Sequence, residues 1–217
     1  MTDFRPDFFR FAASQRALLF GEFVTKAGRT SPYFFNAGLF SSGAALALLC
    51  EFDAKAIGAA DIEYDMLYGS AYKGIPLAAG VAMSLASHGR DVAFCYNRKE
   101  AKDHGEGGVV IGAPLAGRVL MVDDVISAGT SVRESVGIIR AHQATPCAVA
   151  IALDRMERGT GALSATQEVE QAYGIPVVAI ANLDDLVEFV RMEPSYASQL
   201  EAVLTYRSRY GTAVHAR

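Results

Sequence analysis

Apolar positions along this chain change their spacing several times, and each change marks an element. Residues 7–19 carry Phe8, Phe11, Ala12, Leu18 and Leu19 near helical spacing, which predicts a first helix. The runs FGEFVT (20–25) and SPYFFNA (31–37) flank Lys26-Ala27-Gly28-Arg29, which predicts a hairpin turning at Gly28. Residues 42–59 are rich in alanine and leucine and predict a helix capped by Ser41 or Ser42. Strands and helices then alternate. Largely apolar runs predict strands at 64–69, 92–97, 119–122, 146–153 and 176–181, those at 119–122 and 146–153 buried. Helices are predicted from Pro76, which suits a first helical turn, to about His88, and over 130–142, 164–173, 183–190 and 196–206. This alternation predicts one doubly wound α/β domain over residues 1–217, with a mostly parallel sheet and a hood formed mainly by about 1–40.

The stretch RVLMVDDVISAGTS (118–131) concentrates the chemistry. Its apolar strand ends at Asp123 and Asp124. The loop Val125-Ile126-Ser127-Ala128-Gly129-Thr130-Ser131 then leads into a helix. A helix start offers unpaired N–H groups and a positive dipole end, and so attracts phosphate. No lysine precedes Thr130 or Ser131, so this is not the loop of the nucleotide triphosphatases. Two carboxylates beside a phosphate cradle suit a ligand that also offers hydroxyls. A ribose 5-phosphate meets both demands. An Asp–Asp pair alone reads as a solvated turn; the strand before it and the small, hydroxylated loop after it reverse that and favour the ligand.

Composition narrows the classes. A chain of 217 residues, 51% apolar and 20% charged, builds one sizeable core. A net charge of −4 implies no broad basic surface for nucleic acid. Cys50, Cys95 and Cys147 form no CxxC pair, so reduced thiols in the cytoplasm are expected. The opening MTDFRPDFFRF is charged and broken by Pro6, unlike a signal peptide, and no apolar run reaches membrane-spanning length.

Other residues carry two readings each. Lys26 at the hairpin turn is either solvated or a ligand group, and Phe34–Phe35 are either core or contacts. Tyr72 and Lys73 lie in a second strand-to-helix loop, where a diphosphate could sit. Residues 98–108 (RKEAKDHGEGG) read as an exposed, mobile loop with glycine hinges. Its Arg98, Lys99, Lys102 and His104 are either a solvated face or a lid that closes over a diphosphate. Arg155, at the end of the strand over 146–153, either pairs with an internal carboxylate or meets an anionic substrate with its flat fork.

The 118–131 stretch resembles the phosphoribosyl-diphosphate (PRPP) signature of type I phosphoribosyltransferases. Beyond that, GEFVTKAGRTSPYFFNAG, YGSAYKGIP, NRKEAKDHGEGG, VLMVDDVISAGTS and IALDRMERG together resemble the bacterial orotate phosphoribosyltransferases over nearly the whole chain. The resemblance implies the type I phosphoribosyltransferase fold. It implies transfer of ribose 5-phosphate from PRPP to orotate, giving orotidine 5′-monophosphate and diphosphate in pyrimidine synthesis. Magnesium is implied, carried mainly by PRPP and diphosphate rather than by a protein metal site. So is a homodimer with shared active sites, in which Lys99 serves the neighbouring subunit. Lys26, Phe34, Phe35 and Arg155 fall where the family contacts orotate or frames its pocket. Tyr72 and Lys73 fall on the diphosphate loop, with a non-proline cis peptide expected between Ser70 and Lys73. Arg98, Lys99, Lys102 and His104 fall on the mobile loop, and Asp123 and Asp124 on the ribose. Ser127 stands where relatives often have threonine, and it keeps the hydroxyl. Two rivals remain: a phosphoribosyltransferase for another base, and a PRPP-sensing regulator without turnover.

Overall fold

The computed structural model describes residues 3–25, 27–100, 108–159 and 161–212, and only the backbone of residues 101 and 102. Helix α1 (Arg5–Ser14) leads into a hairpin of β1 (Leu18–Val24) and β2 (Thr30–Phe35). After α2 (Gly43–Ala59) come β3 (Met66–Gly69), α3 (Gly74–Ser87), β4 (Ala93–Lys102) and β5 (Gly108–Gly112). Then follow β6 (Arg118–Val122), α4 (Thr130–Ala141), β7 (Thr145–Asp154), α5 (Ala165–Tyr173) and β8 (Val177–Asn182). Helices α6 (Leu183–Met192) and α7 (Leu200–Tyr210) close the order.

The main sheet runs β5-β4-β3-β6-β7-β8. All its pairings are parallel except β4 with β5. Both faces are covered, so the inner strands alternate between two cores rather than between core and water. Leu67, Leu120, Val122, Ala148, Ala150 and Ala152 pack on one face with residues of α2 and α3. Met66, Tyr68, Val119, Met121, Val149 and Ile151 pack on the other with residues of α4 and α5. The connection after β3 runs through α3 to β4 on one side. The connection after β6 runs through α4 to β7 on the other. The crevice beyond the ends of β3 and β6 is therefore the topological switch point, where open α/β sheets bind ligands.

The hood rests on aromatic packing. Phe8 meets Phe35 and Phe52 at ring distances of 6.1 and 5.6 Å, and Phe9 meets Phe189 of α6 at 5.3 Å. Tyr33 of β2 meets Tyr206 of α7 edge-on at 6.2 Å. The chain's end therefore completes what its beginning starts. Truncating Phe8 to alanine costs about 3–5 kcal/mol by the usual cavity argument.

Several boundaries differ from expectation. The first helix stops at Ser14, because Arg16 takes a left-handed φ of 58° and hands Leu18 and Leu19 to β1. The expected charged loop over 98–108 is partly strand. Strand β4 continues through Lys102, and β5 returns antiparallel to it. A two-stranded arm at a sheet edge carries charge on exposed faces, so its period gives no apolar signal. The last helix begins at Leu200, after a 3-10 segment over Pro194–Gln199. Ser42 is the cap of α2, its hydroxyl accepting from Ala45 N at 3.1 Å.

Candidate active site

Asp123 and Asp124 stand at the end of β6, both buried. Their backbone is still tied to β7: Asp123 N donates to Ala150 O at 3.0 Å and Ala152 N donates to Asp124 O at 2.9 Å. The pair is thus fixed by the sheet and not by a free turn. Asp123 accepts from Ser70 Oγ at 2.6 Å and from Asp124 N at 2.8 Å. Burial pushes the Asp123 carboxyl above its ordinary range, the neighbouring Asp124 charge adds to this, and the Ser70 bond opposes it. Lys73 Nζ pairs with Asp124 Oδ2 at 2.5 Å. The approach of α3 to β6 requires Gly74, where an added Cβ would lie 2.5 Å from Val122 O.

The loop after Asp124 is pinned on both sides. Val125 packs against one core and Ile126 against the other. This leaves Ser127, Ala128 and Thr130 exposed above the sheet. Gly129 takes φ 67°, a left-handed conformation that suits glycine, and turns the chain into α4. No side chain caps the first N–H groups of α4. The hydroxyls of Ser127 and Thr130 stand beside those donors, and the Ser131 hydroxyl bonds to Asp123; unpaired donors at a helix start suit an anion.

Across the crevice lies the loop from Ser70 to Lys73, with its cis peptide at Ala71–Tyr72. Its backbone is held by Asn97 at the inner end of the arm, whose Oδ1 accepts from Ala71 N at 3.0 Å. Lys99 reaches back from the arm, its Nζ 5.1 Å from the centre of the exposed Tyr72 ring. Arg98 is half-buried beside it. Lys26, His104 and the side chain of Lys102 lie outside the described residues.

Arg155 follows β7 and turns toward the hood. Its Nε donates to Glu157 Oε1 at 2.8 Å, and its Nη2 to Ser31 Oγ at 3.0 Å. The guanidinium carbon lies 4.2 Å from the Tyr33 ring centre. Of the two readings for Arg155, the internal carboxylate is realised here. Phe34 and Phe35 separate by strand alternation. Phe35 packs in the core against Phe8 and Phe40, whereas Phe34 is 39% exposed and stacks on Phe23. Of the pair, Phe34 is the exposed one.

A phosphoribosyl transferase domain model matches residues 41–163. An orotate phosphoribosyltransferase of Laribacter hongkongensis is 66% identical over 97% of this chain and 99% of its own. One from Chromobacterium violaceum is 63% identical over the same shares. The crystal structure of the Francisella tularensis orotate phosphoribosyltransferase superposes with a TM-score of 0.87 at 39% identity, covering 95% of this chain and 100% of that one. The chain belongs to the orotate phosphoribosyltransferase family.

For a member of this family, the structure brings Asp123, Asp124, Lys73, Tyr72, Lys99 and the 125–131 loop to one crevice and sets Arg155 on the neighbouring hood side. Among the described residues, no group of three or more His, Cys, Asp or Glu is placed to hold a metal ion. The sequence reading missed Ser70, Asn97, Ser31 and Glu157 as supporting groups. Asn97 carried a signal: a polar residue closing an apolar strand run. Glu157 carried one in its position two residues from Arg155. Ser31, which supports Arg155 across 124 residues, carried none.

Proposed function

We propose that this chain transfers the ribose 5-phosphate of PRPP to orotate, releasing diphosphate and orotidine 5′-monophosphate. The observation that carries the reading is the buried Asp123–Asp124 pair, flanked by the uncapped start of α4 and by Lys73. These three features suit three parts of PRPP. The carboxylates accept from the 2- and 3-hydroxyls of the ribose. The α4 cradle holds the 5-phosphate. Lys73, Arg98 and Lys99 face the diphosphate, and the family resemblance assigns Lys102 and His104 to the same group.

As the bond from C1 to diphosphate breaks, its electron pair leaves with the diphosphate and the ribose ring gains positive character. The cations stabilise the growing negative charge, and Asp123 and Asp124 place negative charge beside the ring. Orotate, its carboxylate facing Arg155, forms the new bond to C1 through its ring nitrogen, and that nitrogen's proton is released to solvent. No side-chain nucleophile takes part; alignment and electrostatics carry the rate.

Magnesium fits this donor set as an ion carried by the substrate. Such an ion would be carried mainly by the phosphate oxygens, and the carboxylates of Asp123 and Asp124 are the hard oxygen donors that could help to hold it. Bound there, it would supply further positive charge to the diphosphate. The proposal extends to a homodimer with shared sites and to the cytoplasm. Three free cysteines suit that compartment, and among the described residues no helix is long and apolar enough to cross a membrane.

The test is loss of orotate absorbance on mixing with PRPP, with and without magnesium, with uracil and adenine as comparison bases. Magnesium-dependent consumption of orotate alone supports the reading. Turnover of another base in preference, or binding of PRPP without turnover, would overturn it.

A further inference from the structure

Between Arg155 and Glu157 the chain makes a sharp turn. Met156 takes φ 50°, a left-handed conformation that non-glycine residues seldom adopt. The turn is held from two sides. Asp154 Oδ1 accepts from Met156 N at 2.8 Å, and Thr212 donates to Met156 O from its N at 2.8 Å and its Oγ1 at 3.1 Å. Glu157 itself bridges to Gly211. This brings the Glu157 carboxylate back against the Arg155 guanidinium. Oε1 accepts from Nε at 2.8 Å and lies 2.6 Å from Nη2, while Nη2 also reaches Ser31. Oε2 lies 3.9 Å from Nη1 of Arg29 at the foot of β2. The Tyr206 hydroxyl of α7 lies against both members of this pair.

We infer that Glu157 is the positioning residue of the base site: it clamps the Nε edge of Arg155 and so fixes the plane in which the guanidinium meets a planar acidic base. This inference rests on the orotate reading above. A guanidinium carries five donors in one rigid plane, so fixing one edge fixes the direction of the others. An arginine that is free to rotate must surrender that freedom when the substrate binds; one already pinned by Glu157, Ser31 and the Tyr33 ring does not. Glu157 thereby strengthens orotate binding without touching orotate. It contributes nothing to PRPP, whose groups lie at Asp123, Asp124 and Lys73.

The test compares the full-length Glu157→Ala, Glu157→Asp and Glu157→Gln enzymes with wild type. Glu157→Ala should raise the KM for orotate by roughly tenfold, with the KM for PRPP changed by less than about twofold. Glu157→Asp keeps the charge but withdraws the oxygen by one methylene, and should behave like Glu157→Ala. Glu157→Gln keeps an acceptor oxygen at the same reach and should recover most of the orotate affinity. If Glu157→Ala folds poorly, the Asp and Gln pair carries the same comparison. An unchanged orotate KM in Glu157→Asp, equal rises in both KM values, or a glutamine as damaging as aspartate would overturn the inference. A wild-type enzyme that does not consume orotate would instead sink the function reading, so the two failures are distinguishable.

Discussion

The Ser70 hydroxyl donates to Asp123 Oδ2 at 2.6 Å and joins the ends of two strands whose connections leave on opposite faces of the sheet. Burial raises the Asp123 carboxyl above its ordinary range and this bond opposes the rise. Removing it in Ser70→Ala raises the carboxyl further. A ribose-binding Asp123 must be ionised, so the variant should lose kcat/KM at a higher pH on the acid side than wild type does. At neutral pH the loss should be about tenfold or more, the worth of one hydrogen bond to a charged group. A pH profile of kcat/KM checks both, and coincident acid limbs would count against the bond's role.

Asp124→Asn should slow turnover about a hundredfold, because the lost charge faces the reacting ring. Its stability should change little, since the Lys73 partner is half in solvent and such a pair is worth about 1 kcal/mol or less. Turnover and melting temperature measured together decide it. A parallel collapse of both would make Asp124 structural.

Arg155→Leu should weaken orotate about a hundredfold and PRPP far less. It also takes from Glu157 its 2.6 Å ion pair, so about 1–2 kcal/mol of stability should go with it. Separate KM values and a denaturant titration resolve the two effects. Equal weakening of both substrates would assign Arg155 to the hood rather than to the base.

Asp53 on α2 is 1% exposed, and neither of its carboxylate oxygens has a hydrogen-bond partner among the described residues. Burial raises its folded pKa well above 3.8. The folded chain therefore keeps a proton that the unfolded chain releases. Stability is greatest below the unfolded value and falls as pH rises toward the folded one. Asp53→Asn should flatten that slope and melt higher than wild type at alkaline pH, by about 2–4 °C for each kcal/mol. Melting curves across pH test it; parallel curves for the two proteins would refute a neutral Asp53.

If the sites are shared in a homodimer, Lys99→Ala and Asp124→Asn should complement. Each homodimer is nearly inactive, but a mixed dimer has one site with an intact loop and an intact floor. Random reassortment should restore roughly a quarter of wild-type activity. The measurement is turnover after co-refolding equal amounts. Lys99 lies over Tyr72 of its own chain here, so the experiment also decides which subunit it serves. No recovery, with mixed dimers demonstrated, would assign Lys99 to its own site.

Much of this was legible in the residues. The parallel strands announced themselves as apolar runs, and the aspartates and small loop after 119–122 marked the crevice. The arm was not legible, because β5 offers only Val109, Val110 and Ile111 between glycines and pairs with a charged strand. Nor was the environment of Arg155. Ser31 and Tyr33 reach it from a part of the chain that only folding unites, and nothing local distinguishes a serine in a hairpin from one beneath a guanidinium.

The packing of the first helix against α6 also sets an order of events during synthesis. Arg10 and Glu193, which pair across that seam, are separated by 183 residues. A ribosome adding about 5–20 residues per second needs roughly ten to forty seconds to cover that distance. For that interval Phe8 and Phe9 are made but Phe189 is not, so an aromatic surface waits beside the growing chain. The sheet and its aspartates can form while it waits. The hood, and with it the setting of Arg155, is assembled last.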